Sequence, residues 1–508
     1  MRLDNNQPPI AAQVSHPTLG KQRGRPLVLV ACFLLASCSG VERVAEDTFT
    51  GSGNFSGMAA ADEPQALLVG RDALTAGGKA ADAAVAMAFA MTVTLPSQVA
   101  LGSSGACLVY DNVLKTVDAI TFVPRPVGPV GGDTSMVPGL PRGMFLLHAK
   151  YGRLRWDQLL GPAQRLAQQG VPASRAFIRQ FAPVADAVLA DPIARRLFSR
   201  ADEQPIGEGD LMRNPELGTA LGRLALRGAG DLYSGSWSRE FIAAARDAGA
   251  TFGEDDLRSY AAQSLSPIAV PYGHDMAYFT PPPALTGIVE AQSWVHLAGP
   301  AAYKDANPDT RPRLAAATLA RALEDRAQWL KSPHEIAELT GEAHVAAAMA
   351  GLDPNQSPAE PRTEEPVAGA GLVTVDGSGD AVACEFTLNR PFGTGSMVPN
   401  FGTYLAAPTP DVGLGLGPMI AINTNSNEFR LAAAASGGVA GTRSLIRAAA
   451  ETLLASRPLS DAMDTLKADD SPGRVEAAQC TSGRPSIERC VAKTDPRGAG
   501  LAESMAVK

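Results

Sequence analysis

The chain changes character near residue 372. Before it, helical periodicity and buried-strand patterns take turns over a long stretch; from Leu372 onward the residues alternate towards strands. Between the two lies Asp353-Pro354-Asn355-Gln356-Ser357-Pro358-Ala359-Glu360-Pro361, polar and Pro-rich and therefore a loop. A chain of 508 residues exceeds the usual single-domain range. The expectation is an α/β fold, as one very large domain or two intimately packed halves.

Local signals fill in the first region. Ala76-Gly77-Gly78-Lys79-Ala80-Ala81-Asp82-Ala83-Ala84-Val85-Ala86 opens a helix whose small residues allow close packing on a sheet. Gly105 to Tyr110 reads as a buried strand ending in Asp111. Val137-Pro138-Gly139 turns into a helix through Met144 to Tyr151, with Gly152 as its C-cap, and Trp156 to Gln169 forms another amphipathic helix.

Composition excludes some function classes. Hydrophobic residues make up 45% and charged residues 19%, ample for a core. A net charge of −8, four Trp and eight Tyr provide neither the basic footprint nor the stacking surface of a nucleic-acid binder. The six His are scattered, and His334-Glu335 lacks the second His of a zincin helix, so no metal site and no cofactor are expected.

The first residues read as an export signal. Lys21, Arg23 and Arg25 precede an apolar run, Leu27 to Leu35, too short to span a bilayer. Leu35-Ala36-Ser37-Cys38 then matches a lipobox, in which Cys38 is acylated and becomes the first mature residue; a plain secretory signal is the alternative. Residues 1–20 form a polar overhang ahead of it. The expected location is the bacterial cell envelope, as a lipid-anchored protein facing the periplasm. Cys107 and Cys384, in apolar strand-like surroundings, are expected as buried free thiols. Cys480 and Cys490 bracket a short polar loop and suit a disulfide in that compartment.

Seven blocks in one order resemble the γ-glutamyltransferase (γ-glutamyltranspeptidase) family. They are Gly77-Gly78-Lys79-Ala80-Ala81-Asp82-Ala83-Ala84; Val137-Pro138-Gly139 with Gly143 and Tyr151-Gly152; Asp256-Leu257 with Tyr260, Tyr272-Gly273 and Pro281-Pro282-Pro283; Asp376 with Thr387-Leu388-Asn389; Phe392-Gly393-Thr394-Gly395; Ser436-Gly437-Gly438; and Asp495-Pro496-Arg497. The resemblance covers nearly everything after residue 60. It implies the αββα four-layer sandwich of N-terminal-nucleophile hydrolases. It also divides the chain into a signal region 1–38, a flexible tether 39–60, a large-subunit-like region 61–352, a mobile link 353–368 and a small-subunit-like region 369–508.

In that family a Thr opens the small subunit. After the chain cuts itself there, the freed α-amine activates the Thr hydroxyl. Aligned through Asp376 and Thr387-Leu388-Asn389, this nucleophile position falls on Gly369, which has no side chain. By the same resemblance Thr387 and Asn389 flank the nucleophile, and Gly437 and Gly438 supply oxyanion-hole amides. A tight turn and the satisfaction of buried polar groups explain those four positions equally well. Asp411 retains an acidic residue that binds the substrate α-amine, whereas Pro408 replaces a polar residue. Ile120 falls on an Arg that grips the α-carboxylate, with Arg125 nearby as a substitute. Ile420 and Ala421 fall on paired Ser.

Two functions follow. The first is a γ-glutamyltransferase-like lipoprotein, unprocessed and catalytically impaired, with a small γ-glutamyl or amide-type ligand as its partner. The second is an active amide hydrolase or transferase with divergent substrate choice that uses a displaced Thr such as Thr363; Thr374, five residues on along the strand, is about 16 Å away and too far. Nothing in the sequence selects an oligomeric state.

Overall fold

The structure is a computed structural model and describes residues 55–128, 135–299, 303–331, 334–354, 367–409, 413–469, 471–481 and 485–506. The signal region, Cys38, Thr363, most of the link and Asp411 lie outside these residues.

Two sheets stack face to face. The first is built from β1 (Phe55–Ala61), β2 (Ser104–Asp111), β3 (Thr116–Phe122), β4 (Gln263–Leu265), β7 (Ala368–Asp376), β8 (Ala381–Asn389) and β13 (Leu501–Ala506), in the order β13-β1-β7-β8-β2-β3-β4. The second contains β5 (Ile268–Tyr272), β6 (Asp275–Phe279), β9 (Met419–Asn423), β10 (Phe429–Ser436), β11 (Arg474–Cys480) and β12 (Cys490–Thr494), in the order β12-β11-β10-β9-β6-β5. Neighbouring strands in both are antiparallel. The strand-rich end thus supplies the centre of both sheets rather than a separate body.

Helices cover the two outer faces. On the first sheet lie α1 (Pro64–Thr75), α2 (Ala80–Thr94), α3 (Leu140–Tyr151), α4 (Trp156–Gln169) and α5 (Pro215–Arg227), sharing one core with Cys107, Ile120, Leu372 and Cys384. On the second lie α6 (Thr286–Ala298), α7 (Arg311–Trp329) and α8 (Val439–Ala449), packed on Ala277, Ala421 and Ala433. Between the sheets a third core holds Met58, Leu108, Val373, Ala383, Ile420 and Ala432. This is the αββα sandwich. Helix α2 is buried on every side, which its run of Ala permits because the backbone can approach the sheet closely. Its first turn is tied down by Asp376, whose Oδ2 accepts the Ala80 N–H at 3.0 Å.

Two expectations are corrected here. The tether does not reach residue 60: Phe55–Ala61 is a strand inside the first sheet, paired with β7 on one side and β13 on the other. Its small residues, Gly57 and Ala59 to Ala61, read as linker-like in the sequence because only a closely packed sheet interior gives them a role. Nor are Cys107 and Cys384 free thiols. They stand directly opposite on β2 and β8, with Cα atoms 4.1 Å apart, and are joined by a disulfide; close lateral pairs of this kind bring two Cβ atoms within bonding reach. Cys480 and Cys490 are joined in the same manner across β11 and β12.

Candidate active site

Gly369 lies at a β-bulge near the start of β7. Ala368 pairs with Asn389 and Ala370 with Phe386, so Gly369 is set against two residues of β8. The Ala368–Gly369 peptide bond is held at both ends. Thr387 Oγ1 donates to the Ala368 carbonyl at 2.7 Å, and the Gly369 N–H donates to Gln98 Oε1 at 2.6 Å. Gly369 is not in the left-handed region, so its backbone does not require glycine. A Cβ built there would meet Phe386 O at 3.2 Å and Gly437 N at 3.4 Å. The space is tight but open, and a side chain would look straight at the Gly437 amide.

The other aligned positions gather here. Gly437 and Gly438, both with positive φ, form the turn that ends β10 and begins α8. Gly473 lies against Gly437, 3.1 Å from its would-be Cβ, and Arg497 braces that contact. Its Nη2 donates to Gly473 O at 2.8 Å and to Asp495 Oδ2 at 2.6 Å. The Asp495-Pro496-Arg497 block is therefore scaffold beneath the glycine turn. Asn389 is bonded within the fold: its Nδ2 donates to Ala407 O at 2.6 Å and its N–H to Thr387 Oγ1 at 2.8 Å.

Several expected pocket residues are elsewhere. Directly paired strand residues share a face, and Ile120 pairs with Cys107, opposite Cys384 and Leu372. All four point into the helix-side core, away from Thr387 and Gly369, so Ile120 does not line the site. The neighbouring Thr121 is on the inner face, buried, with an unpartnered Oγ1. Arg125 cannot replace the missing cation. Its guanidinium is bonded to the Asp256 carbonyl and Ser259 Oγ and lies 5.8 Å from the Tyr260 ring. Ile420 and Ala421 sit within β9, buried on opposite faces in separate cores. The segment that does reach the glycine turn is the preceding loop: Gly415 lies on Gly438, so close that a Cβ added to Gly415 would fall 2.8 Å from Gly438 Cα, and Thr286 Oγ1 accepts the Gly415 N–H at 2.6 Å. Pro408 is exposed, next to Ala407. Thr374 is buried, and its hydroxyl donates to Ala80 O at 2.8 Å, on the far side of β7 from any attack.

Sequence reasoning missed Gln98, Gly415 and an internal carboxyl pair. Only the unexplained polar character of Ser97-Gln98 before the Gly102 turn hinted at the first. Glu385, two residues before Thr387 on the same inner face, crosses to the second sheet. Its Oε2 accepts the Gly417 N–H at 2.7 Å and its Oε1 the Ala435 N–H at 2.5 Å. Glu290 of α6 abuts Gly417, and both its oxygens are buried without a partner among the described residues. Burial pushes the Glu385 carboxyl up to about 8 and Glu290 well above the usual range, the latter reinforced by the charge of Glu385. Both folded values exceed the unfolded ones, so this stabilisation is fully present below about pH 4.5 and is lost as pH rises through the folded values. The melting temperature is expected to fall from pH 6 to pH 9. Glu290→Gln should flatten that slope in scanning calorimetry, and an unchanged slope would contradict the assignment.

Taken together, the described residues place a hydrogen-bonded carbonyl and a glycine turn around Gly369, which carries no side chain. The profile of the gamma-glutamyltranspeptidase family matches residues 66–445. The chain belongs to the γ-glutamyltranspeptidase family. Among its relatives, the glutathione hydrolase proenzyme of Escherichia coli K12 is 27% identical over 398 residues, covering 71% of this chain and 68% of the relative. That of Pseudomonas aeruginosa is 29% identical over 376 residues, covering 69% and 67%. In fold the chain is similar to a cephalosporin acylase from Bacillus halodurans, with a TM-score of 0.73 at 19% identity over 89% of this chain and 96% of that one. The gamma-glutamyltranspeptidase of Helicobacter pylori superposes with a TM-score of 0.52 at 22% identity, over 57% and 90%. Family membership thus rests on the sequence, and the sandwich on both sequence and structure.

Proposed function

We propose that this member of the family is an unprocessed, catalytically impaired γ-glutamyltransferase-like lipoprotein of the bacterial envelope that binds a ligand instead of turning one over. The observation that carries the reading is the bare Cα at Gly369, facing the Gly437 amide where the family needs a hydroxyl. The Ala368–Gly369 peptide is hydrogen-bonded at both ends, its carbonyl by Thr387 Oγ1 and its N–H by Gln98 Oε1. Arg125 and Thr374, which could have offered an anion clamp or a nucleophile, are already engaged.

Backbone amides at a glycine turn favour a carbonyl or carboxylate oxygen, which fits a small γ-glutamyl or amide-type ligand. The relatives named as glutathione hydrolase proenzymes give the comparison. Against γ-glutamyl-4-nitroanilide the purified chain is expected to release 4-nitroaniline at the buffer rate. Losing the nucleophile costs roughly a factor of 10⁶ in an unrelated serine protease, so turnover within about a hundredfold of an active relative would overturn the reading. The lipobox supports the anchor: Cys38→Ala should move the protein from the membrane to the soluble fraction, and an unchanged membrane fraction would remove that part.

A further inference from the structure

We propose that the turn between β2 and β3 rests on the membrane surface, with Val113 and Leu114 dipped into the lipid. The degenerate site is then held at the end of the sandwich away from the bilayer. The inference rests on the lipid anchor at Cys38 argued above.

Val113 and Leu114 are 76% and 68% exposed, side by side at the tip of a hairpin. Single exposed apolar residues are ordinary on a protein surface, but two adjacent ones here take the place of the Asn, Asp and Gly that turns favour. The turn holds them firmly. Asp111 Oδ1 accepts the Val113 and Leu114 N–H groups, both at 2.8 Å, and the Lys115 N–H donates to Asp111 O at 2.8 Å. Asn112 is fixed from the β7–β8 turn: its N–H donates to Asp380 Oδ1 at 2.8 Å and its Nδ2 to Ser378 O at 2.6 Å. These N–H groups are satisfied within the protein, so the two side chains enter a lipid surface without carrying unpaired donors there. Lys115 beside them bonds the neutral Asn112 Oδ1 at 2.8 Å. A long cationic side chain next to apolar residues suits an interface where lipid phosphates lie above acyl chains.

The point at which the anchored chain joins the body selects the membrane as the occupant. Residues 39–54 separate Cys38 from Phe55, the first residue of β1, and even fully extended they reach only about 55 Å. β1 begins at the end of the sandwich where β2 finishes. Phe55 O lies 2.6 Å from where a Gly377 Cβ would be, and the next residue, Ser378, accepts the Asn112 side chain. In the order β1-β7-β8-β2 the two strands are three spacings apart, roughly 14 Å. The lipid end of the chain and the apolar tip therefore belong to one end of the fold. Ile487, 47% exposed, is in the β11–β12 turn at that same end, where Pro485 packs on Gly379. Gly369 stands near the opposite end of β7, about 24 Å from Asp376 at strand rise.

Fluorescence of the exported, full mature chain in vesicles of phosphatidylethanolamine and phosphatidylglycerol tests this, with acyl-brominated phospholipids as quenchers. Leu114→Trp adds an exposed indole to four native ones that are buried or half-buried. Leu226→Trp, at a position on α5 that is 84% exposed, is the control. Brominated lipid is expected to quench the added emission at residue 114 at least threefold more than at residue 226. Intact mass of the same preparation reports acylation and so separates the two readings. An acylated chain without quenching at residue 114 overturns the proposal and leaves the anchor standing; an unacylated chain removes both. Equal quenching at residue 226 overturns it as well. So does emission at residue 114 that shifts with protein concentration and not with lipid, which assigns the tip to a second copy of the chain.

Discussion

Gly369→Thr is expected to turn a single chain into two fragments that meet at residue 369. The backbone there accepts any residue, and the new Cβ would sit 3.2 Å from Phe386 O and 3.4 Å from Gly437 N, contacts that a few tenths of an ångström of adjustment relieve. The added hydroxyl would stand next to the Ala368 carbonyl, already polarised by Thr387 Oγ1 at 2.7 Å. A tetrahedral oxygen formed on that carbon would find the glycine-turn amides nearby, the kind of donor that stabilises it. The cut needs only these local parts. Turnover of a γ-glutamyl substrate needs more, because Ile120 and Ile420 are locked in cores and Arg125 is bonded to the Asp256 carbonyl. The variant should therefore be cleaved, visible by denaturing gel and intact mass, yet release no 4-nitroaniline above buffer. A variant that folds and stays whole would show that the retained groups are scaffold alone.

The largest stability effect is expected from the disulfide in the middle of the first sheet. Cys107 and Cys384 are separated by 277 residues and tie β2 to β8, the two strands that carry Ser104 and Thr387. Replacing both by Ala should cost about 2–5 kcal/mol in urea unfolding, since the bond constrains a very long loop in the unfolded chain. The Cys480–Cys490 bond closes a separation of only 10 residues. Its double-Ala variant should lose about 3 kcal/mol less on the same chain-entropy argument. Equal losses would mean that local packing, not loop closure, sets the effect.

The outer architecture was legible because its signals are local. Trp156 to Gln169 carries helical periodicity along its whole length, and the strand after Gly105 announces itself by apolar content; both occupy the expected residues. The ordered Gly, Pro and Asp blocks mark turns that few other residues can make, and these fixed the family. What failed was parity and partnership. Whether Ile120 or Thr121 faces the site depends on the register of β3 against β2, and a one-residue slip flips the face. Cys107 finds Cys384 only through strand pairing across hundreds of residues, and Glu290 meets Glu385 only once both sheets and α6 are assembled. The position of Gly369 was read from Asp376, Thr387 and Asn389, the aligned residues that follow it.

On the reading proposed above, the site keeps the frame of the family's active site without its reactive group. The most direct measurement is the intact mass and N-terminal sequence of the unmodified chain purified after export. The account predicts one species of full mature length, whose sole N-terminus precedes the folded body. A second N-terminus at residue 369, or at Thr363, would contradict it.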